Sequence, residues 1–85
     1  MSNRKFIASS DLFSNFEVDI CLYNINTIED IIKEFKSRLR EVLEKNNFTN
    51  LIKILDNRSF HIHSYTIEEI LVSGKDSIFY VCDHT

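Results

Sequence analysis

Along "FEVDICLY" the apolar residues Phe16, Val18, Ile20 and Leu22 alternate with Glu17, Asp19, Cys21 and Tyr23. A period of two puts successive side chains on opposite faces, so this stretch predicts a strand with one buried face and one wet face. The shorter "RKFIASSDLF" before it offers Phe6 and Ala8 as inward residues, and "SSDLFSN" has the small polar residues of a turn. Together they predict a hairpin. The period then changes. Ile28, Ile31, Ile32, Phe35, Leu39, Val42 and Leu43 recur at spacings of three and four, which draws one apolar stripe along a helix. Thr27 suits its N-cap, and Asp30 stands where a capping box is closed. Glu29 and Asp30 place negative charge in the first turn, where the helix dipole favours it. Lys45, Asn46 and Asn47 suit its end.

Beyond the helix the pattern is shorter and rich in β-formers. "NLIKILDN" predicts a short strand. With Lys53 toward water, Leu51 and Leu55 share its face, while Ile52 and Ile54 turn to the core. "SFHIHS" alternates again, with Phe60 and Ile62 on one side and His61 and His63 on the other. "TIEEIL" at 66–71 echoes "TIEDII" at 27–32, but the flanking segments differ in pattern and length. The two words are therefore capped helix starts, not a repeat. The first opens the long helix; the second makes a short turn that "SGKD", with Gly74, brings to an end. "SIFYVCDH" is the last strand, with Ile78, Tyr80 and Cys82 assigned to the core side and Phe79 and Val81 to the outer side. The expected core is Val18, Ile20, Leu22, Ile28, Ile31, Ile32, Phe35, Leu39 and Tyr80.

Composition bounds this picture without changing it. Eighty-five residues make one domain with one core, spanning 1–85 and ordered over roughly 4–84, and such a unit also suits the N-terminal domain of a longer protein. Apolar residues are 44% and charged residues 27%, as in ordinary folded domains. A net charge of -3 gives no general pull toward nucleic acid or an anionic membrane. Two cysteines, Cys21 and Cys82, are too few for a disulfide scaffold. "MSNRKFIASS" has no apolar leader, and no run approaches the roughly 20 apolar residues of a membrane span. These features predict free thiols, a cytoplasmic location with cytoskeletal or nuclear sites as variants, and no membrane partner.

The order strand, strand, long helix, short strand, short strand, helical turn, strand resembles the ubiquitin-like β-grasp. "TIED" at 27–30 is similar to the word that opens the ubiquitin helix, and "YTIEEILVSGKDSIFYV" to that family's turn, charged loop and last strand. The resemblance implies an α+β fold: a mixed four- to five-stranded sheet packed on one long helix, with a short 3₁₀ turn before the last strand. "ILDNRSFHIHSYTIEEILVSGKDSIFYVCD" also resembles the end of doublecortin-like domains, through Asp56-Asn57-Arg58, Glu68-Glu69-Ile70 and Tyr80-Val81-Cys82. It departs from them in having Asn57 for the turn glycine and in being acidic, where microtubule binders are basic. The chain ends in "CDHT" and lacks the Gly-Gly tail of conjugated modifiers.

Candidate chemistry is sparse. His61 and His63 share a strand face, as do Cys82 and His84, and zinc accepts such nitrogen and sulfur ligands in a tetrahedron. The spacing fits no standard zinc pattern, and the assigned faces separate Cys82 from the histidines. These four residues stand as a subsidiary candidate set; no metal or other cofactor is expected. Asp83 alternates away from Cys82 and His84, and no glycine-rich oxyanion or phosphate loop is present, so no enzyme is expected. Lys33, Lys36, Arg38, Arg40 and Lys45 interleave with Glu29, Glu34, Glu41 and Glu44, which describes a solvated helix face with i,i+4 pairs. The expected function is a non-catalytic protein–protein interaction module, cytoskeleton- or scaffold-associated, with tubulin or a scaffold protein as candidate partner. It would dock through the outer sheet face using Leu51, Lys53, Leu55, Phe79 and Val81. The alternatives are self-association, or a small metal- or nucleic-acid-binding protein.

Overall fold

In a computed structural model, which describes residues 2–84, the first hairpin forms as its alternation dictates. Strand β1 (Asn3–Ala8) runs antiparallel to β2 (Glu17–Cys21), with Phe6 opposite Val18 and Arg4 opposite Ile20. Helix α1 (Ile28–Lys45) follows, burying Ile31, Phe35, Leu39 and Leu43 along its stripe. Its start is a full capping box: the Thr27 hydroxyl accepts the Asp30 N–H at 3.1 Å, and the Asp30 carboxylate accepts the N–H of Thr27 at 3.1 Å and of Asn26 at 3.0 Å. Those backbone donors, Asn26 first and Thr27 second, hold the Asp30 pKa below its ordinary value of 3.8. The end is equally defined. Asn47 adopts φ 63°, and the N–H groups of Asn47 and Phe48 return to the carbonyls of Glu44 and Leu43. This is a Schellman ending with asparagine in the left-handed position.

The next segment departs from expectation. Residues read as a strand form helix α2 (Thr49–Asp56). Leu51, Ile52 and Leu55 also fit helical spacing, and in so short a run the period cannot separate the two readings. Packing against α1 decides it: Leu55 is buried, Leu51, Ile52 and Ile54 are half-buried, and Lys53 is exposed. The Arg40 guanidinium donates to the Asp56 carboxylate, and Lys36 Nζ donates to the Arg58 carbonyl at 2.9 Å, so two α1 side chains hold α2 and its exit.

Strand β3 (Ser59–His61), helix α3 (Ile67–Leu71) and strand β4 (Ile78–His84) complete the chain. The expected 3₁₀ turn is instead one turn of α-helix. It carries the second capping box, with the Thr66 hydroxyl accepting the Glu69 N–H and the Glu69 carboxylate accepting the Thr66 N–H. Ile70 anchors it in the core.

The sheet has four strands in the order β2-β1-β4-β3. β1 and β4 are parallel neighbours at its centre, and β3 pairs antiparallel with β4. Pairing fixes which residues share a face. Phe6 lies beside Phe79 and Ala8 beside Val81 in the β1–β4 register, and the Phe6 and Phe79 rings stack at 5.4 Å. Phe79 and Val81 therefore face α1, at 4% and 0% exposure, while Ile78 and Tyr80 face outward at 46% and 62%. The opposite assignment of β4 is overturned. Both faces of "IFYVC" are apolar, so alternation within the strand carries no parity; the neighbouring strand supplies it. Of the expected core, Val18, Ile20, Leu22, Ile31, Phe35 and Leu39 are buried, Ile28 and Ile32 are partly buried, and Tyr80 is exposed. Phe60 sits deep in this core, edge-on to Phe13 at 6.3 Å and to Phe35 at 5.2 Å.

Two consequences can be measured. Phe79→Ala should destabilise the fold by about 3–5 kcal/mol, as for a large aromatic removed from a core. Tyr80→Ser should move it by about 0.5 kcal/mol or less, as for a surface site. Urea denaturation of both variants reads the difference, and equal losses would mean that the strand is turned over. The second concerns pH. Because the folded pKa of Asp30 is depressed, its contribution is complete above the unfolded aspartate value and is lost as pH falls through the folded one. Asp30→Asn should flatten acid-side stability in that window and leave the slope near neutrality unchanged.

Candidate outer-face binding site

The outer face of the sheet can be laid out row by row from the registers. Lys5 of β1 stands between Asp19 of β2 and Ile78 of β4. One row along, Ile7 stands between Glu17 and Tyr80. On the other side of β4, Cys82 lies opposite His61 of β3. The face thus has an apolar centre of Ile7, Ile78 and Tyr80, an acidic border on β2, and a sulfur–imidazole border where β4 meets β3. Ile7 is half-buried and Lys5 is exposed. Tyrosine suits such a position, because its ring offers apolar area and its hydroxyl stays in water.

The five residues predicted as a docking surface do not form one. Phe79, Val81 and Leu55 are in the core, where α1 and the sheet remove them from solvent. Leu51 and Lys53 belong to helix α2 and not to the sheet. The outward apolar residues of β4 are the alternate pair, Ile78 and Tyr80, and Ile7 of the less regular "RKFIAS" lies beside them.

The subsidiary metal set is rearranged as well. Cys82, expected coreward, is half-buried on the outer face and is the cross-strand partner of His61. The rings of His61 and His63 stack at 5.4 Å. Among the described residues, no three His, Cys, Asp or Glu side chains are placed to hold a metal ion. The His84 side chain lies outside the described residues.

At the two ends of the inner face, polar groups close the core. Asp83, opposite Phe60, is 2% exposed in its side chain and lies 3.6 Å from Arg58 Nη1. Arg4 is buried on β1, donating to the hydroxyl and carbonyl of Ser73 and to the Asn3 carbonyl. Arg4 is occupied with the chain's own oxygens, and Arg58 meets Asp83 as an ion pair. No described helix is long and apolar enough to cross a membrane. In comparisons with protein-family models, curated proteins and solved structures, the chain matches none.

Proposed function

We propose that this chain is a ubiquitin-like β-grasp domain acting as a non-catalytic protein-interaction module that docks through the outer face of its sheet. The fold reading is supported by the parallel first and last strands at the sheet centre, the long helix across one face, and the capped helical turn before the last strand. The functional reading is carried by one observation. The sheet's central strand β4 presents Ile78 and Tyr80 to solvent, at 46% and 62% exposure, beside Ile7 of its equally central neighbour. Apolar side chains grouped at the middle of a face and rimmed by charge mark contact surfaces, and tyrosine is among the residues that dominate their energetics. Ile7, Ile78 and Tyr80 are the anchors. Lys5 stands among them and Asp19 and Glu17 at the rim, where they set orientation and encounter rate more than affinity. Scaffold and cytoskeletal proteins are the partner classes implied by the resemblance in sequence.

The test is capture of partners from a cytosolic extract by the wild-type chain and by Ile78→Ser/Tyr80→Ser, both shown to unfold at the same urea concentration. The variant should lose the specific partners of the wild type, by about tenfold or more in affinity once one is purified. Tubulin among the lost partners would support the doublecortin-like branch. Identical capture by both chains would sink the outer-face reading.

A further inference from the structure

The end of the outer face where β4 meets β3 carries a different chemistry from its centre. Cys82 of β4 and His61 of β3 are cross-strand partners. Side chains so placed hold their Cβ atoms about 4.5–5.5 Å apart. That spacing suits a thiolate and an imidazole nitrogen held by one tetrahedral zinc ion, at about 2.3 and 2.0 Å from the metal. Cys82 is half-buried, and the exposed His61 ring stacks on that of His63 at an interplanar angle of 17°. The neighbours on this face carry no fixed charge. Ser9 flanks Cys82 on the β1 side, where its N–H carries the ladder on to the Val81 carbonyl at 2.9 Å. Tyr80 and Ser59 lie two residues along their strands from Cys82 and His61. The acids of the face, Glu17 and Asp19, stand on β2 at the opposite edge of the sheet.

We propose that Cys82 and His61 form one half of a zinc site that a second copy of this chain completes. A closed zinc site takes four protein ligands, and two cysteines with two histidines are a standard set. One chain supplies two, and among the described residues no group of three His, Cys, Asp or Glu side chains can hold a metal ion. A two-fold axis through the ion brings the other two ligands from the identical patch, as in any isologous dimer. Each Cys82 thiol gives up its proton on binding. Two thiolates then balance the charge of the ion, and two neutral imidazoles complete the tetrahedron. Such a site is neutral, which matches an end of the face without acids or bases of its own. Contact at this border also leaves the acidic β2 edges of the two copies far apart, so like charges do not oppose it. Cys21 has no equivalent, because its cross-strand partner is Asn3.

Analytical sedimentation of the chain, kept reduced by a phosphine so that no disulfide forms, reads the mass as zinc is added. The mass should double, the change should be complete at one ion per two chains, and a chelator should restore the monomer. Cobalt(II) in place of zinc should give the strong visible absorption of a tetrahedral ion and a thiolate-to-cobalt charge-transfer band. Cys82→Ser and His61→Ala should abolish both the doubling and that band. They alter half-buried and exposed positions, so the fold is kept, and an unchanged urea midpoint checks this. Cys21→Ser and His63→Ala should retain both signals. The proposal is overturned by any of four results: no change of mass at excess zinc, uptake of one ion per chain without doubling, doubling that survives Cys82→Ser or His61→Ala, or a dimer that the chelator leaves intact.

Discussion

Everything in this fold depends on the parallel pairing of β1 with β4. It joins the two ends of the chain at the middle of the sheet, so both neighbours of β1 and both neighbours of β4 are fixed by it. It also transfers parity. β1 has one unambiguous inward row, with Phe6 and Ala8 buried and Lys5 exposed, and lateral pairing imposes that row on β4. The outer face and the edges are consequences of this one alignment. A parallel pair needs a long crossover, and here the chain between them contains β2, α1, α2, β3 and α3. The long helix is the part that covers the sheet, and its stripe of Ile31, Phe35, Leu39 and Leu43 closes the core.

Where the sequence was legible, local physics was unopposed. The stripe of α1, its Thr27 cap, the alternation of β2 and the second cap at Thr66 each rest on a short-range pattern, and each appears where the pattern puts it. Two segments were misread because their local signals were degenerate. "LIKIL" contains enough β-formers for a strand and enough helical spacing for a turn and a half, and only contact with α1 chooses. "IFYVC" is apolar on both faces, so its orientation is information held by β1. The apolar character that marks Phe79, Val81 and Leu55 as contact candidates also qualifies them for the core, where they lie.

The polar residues on the inner side of the sheet show how a small core is finished. Arg4 and the Arg58–Asp83 pair lie toward opposite ends of β4. Burying such groups is unfavourable unless each finds a partner. Arg4 meets this condition with three oxygens, two of them from Ser73 in the loop after α3. That set of bonds ties the loop preceding β4 to the first strand, reinforcing the same terminal pairing from outside the ladder. At the other end of β4, Asp83 meets the Arg58 guanidinium at 3.6 Å as an ion pair and not as a hydrogen bond, which links it to the segment that enters β3.

The placement of the two thiols has a chemical consequence. Cys21 and Cys82 both belong to the outer face, but Cys21 aligns with Asn3 at one end of β1, whereas Cys82 aligns with the position just past Ala8 at the other. At about 3.3 Å per residue the offset along the strands is roughly 20 Å, before the width of the intervening strand is added. A disulfide needs its α-carbons within about 7 Å. Oxidation of this folded chain therefore has no internal bond to form. A disulfide made by either thiol must reach outside the molecule, to a second copy, a partner or a small thiol, and any covalent dimer that accumulates in air will be a record of which thiol-bearing surfaces meet in solution.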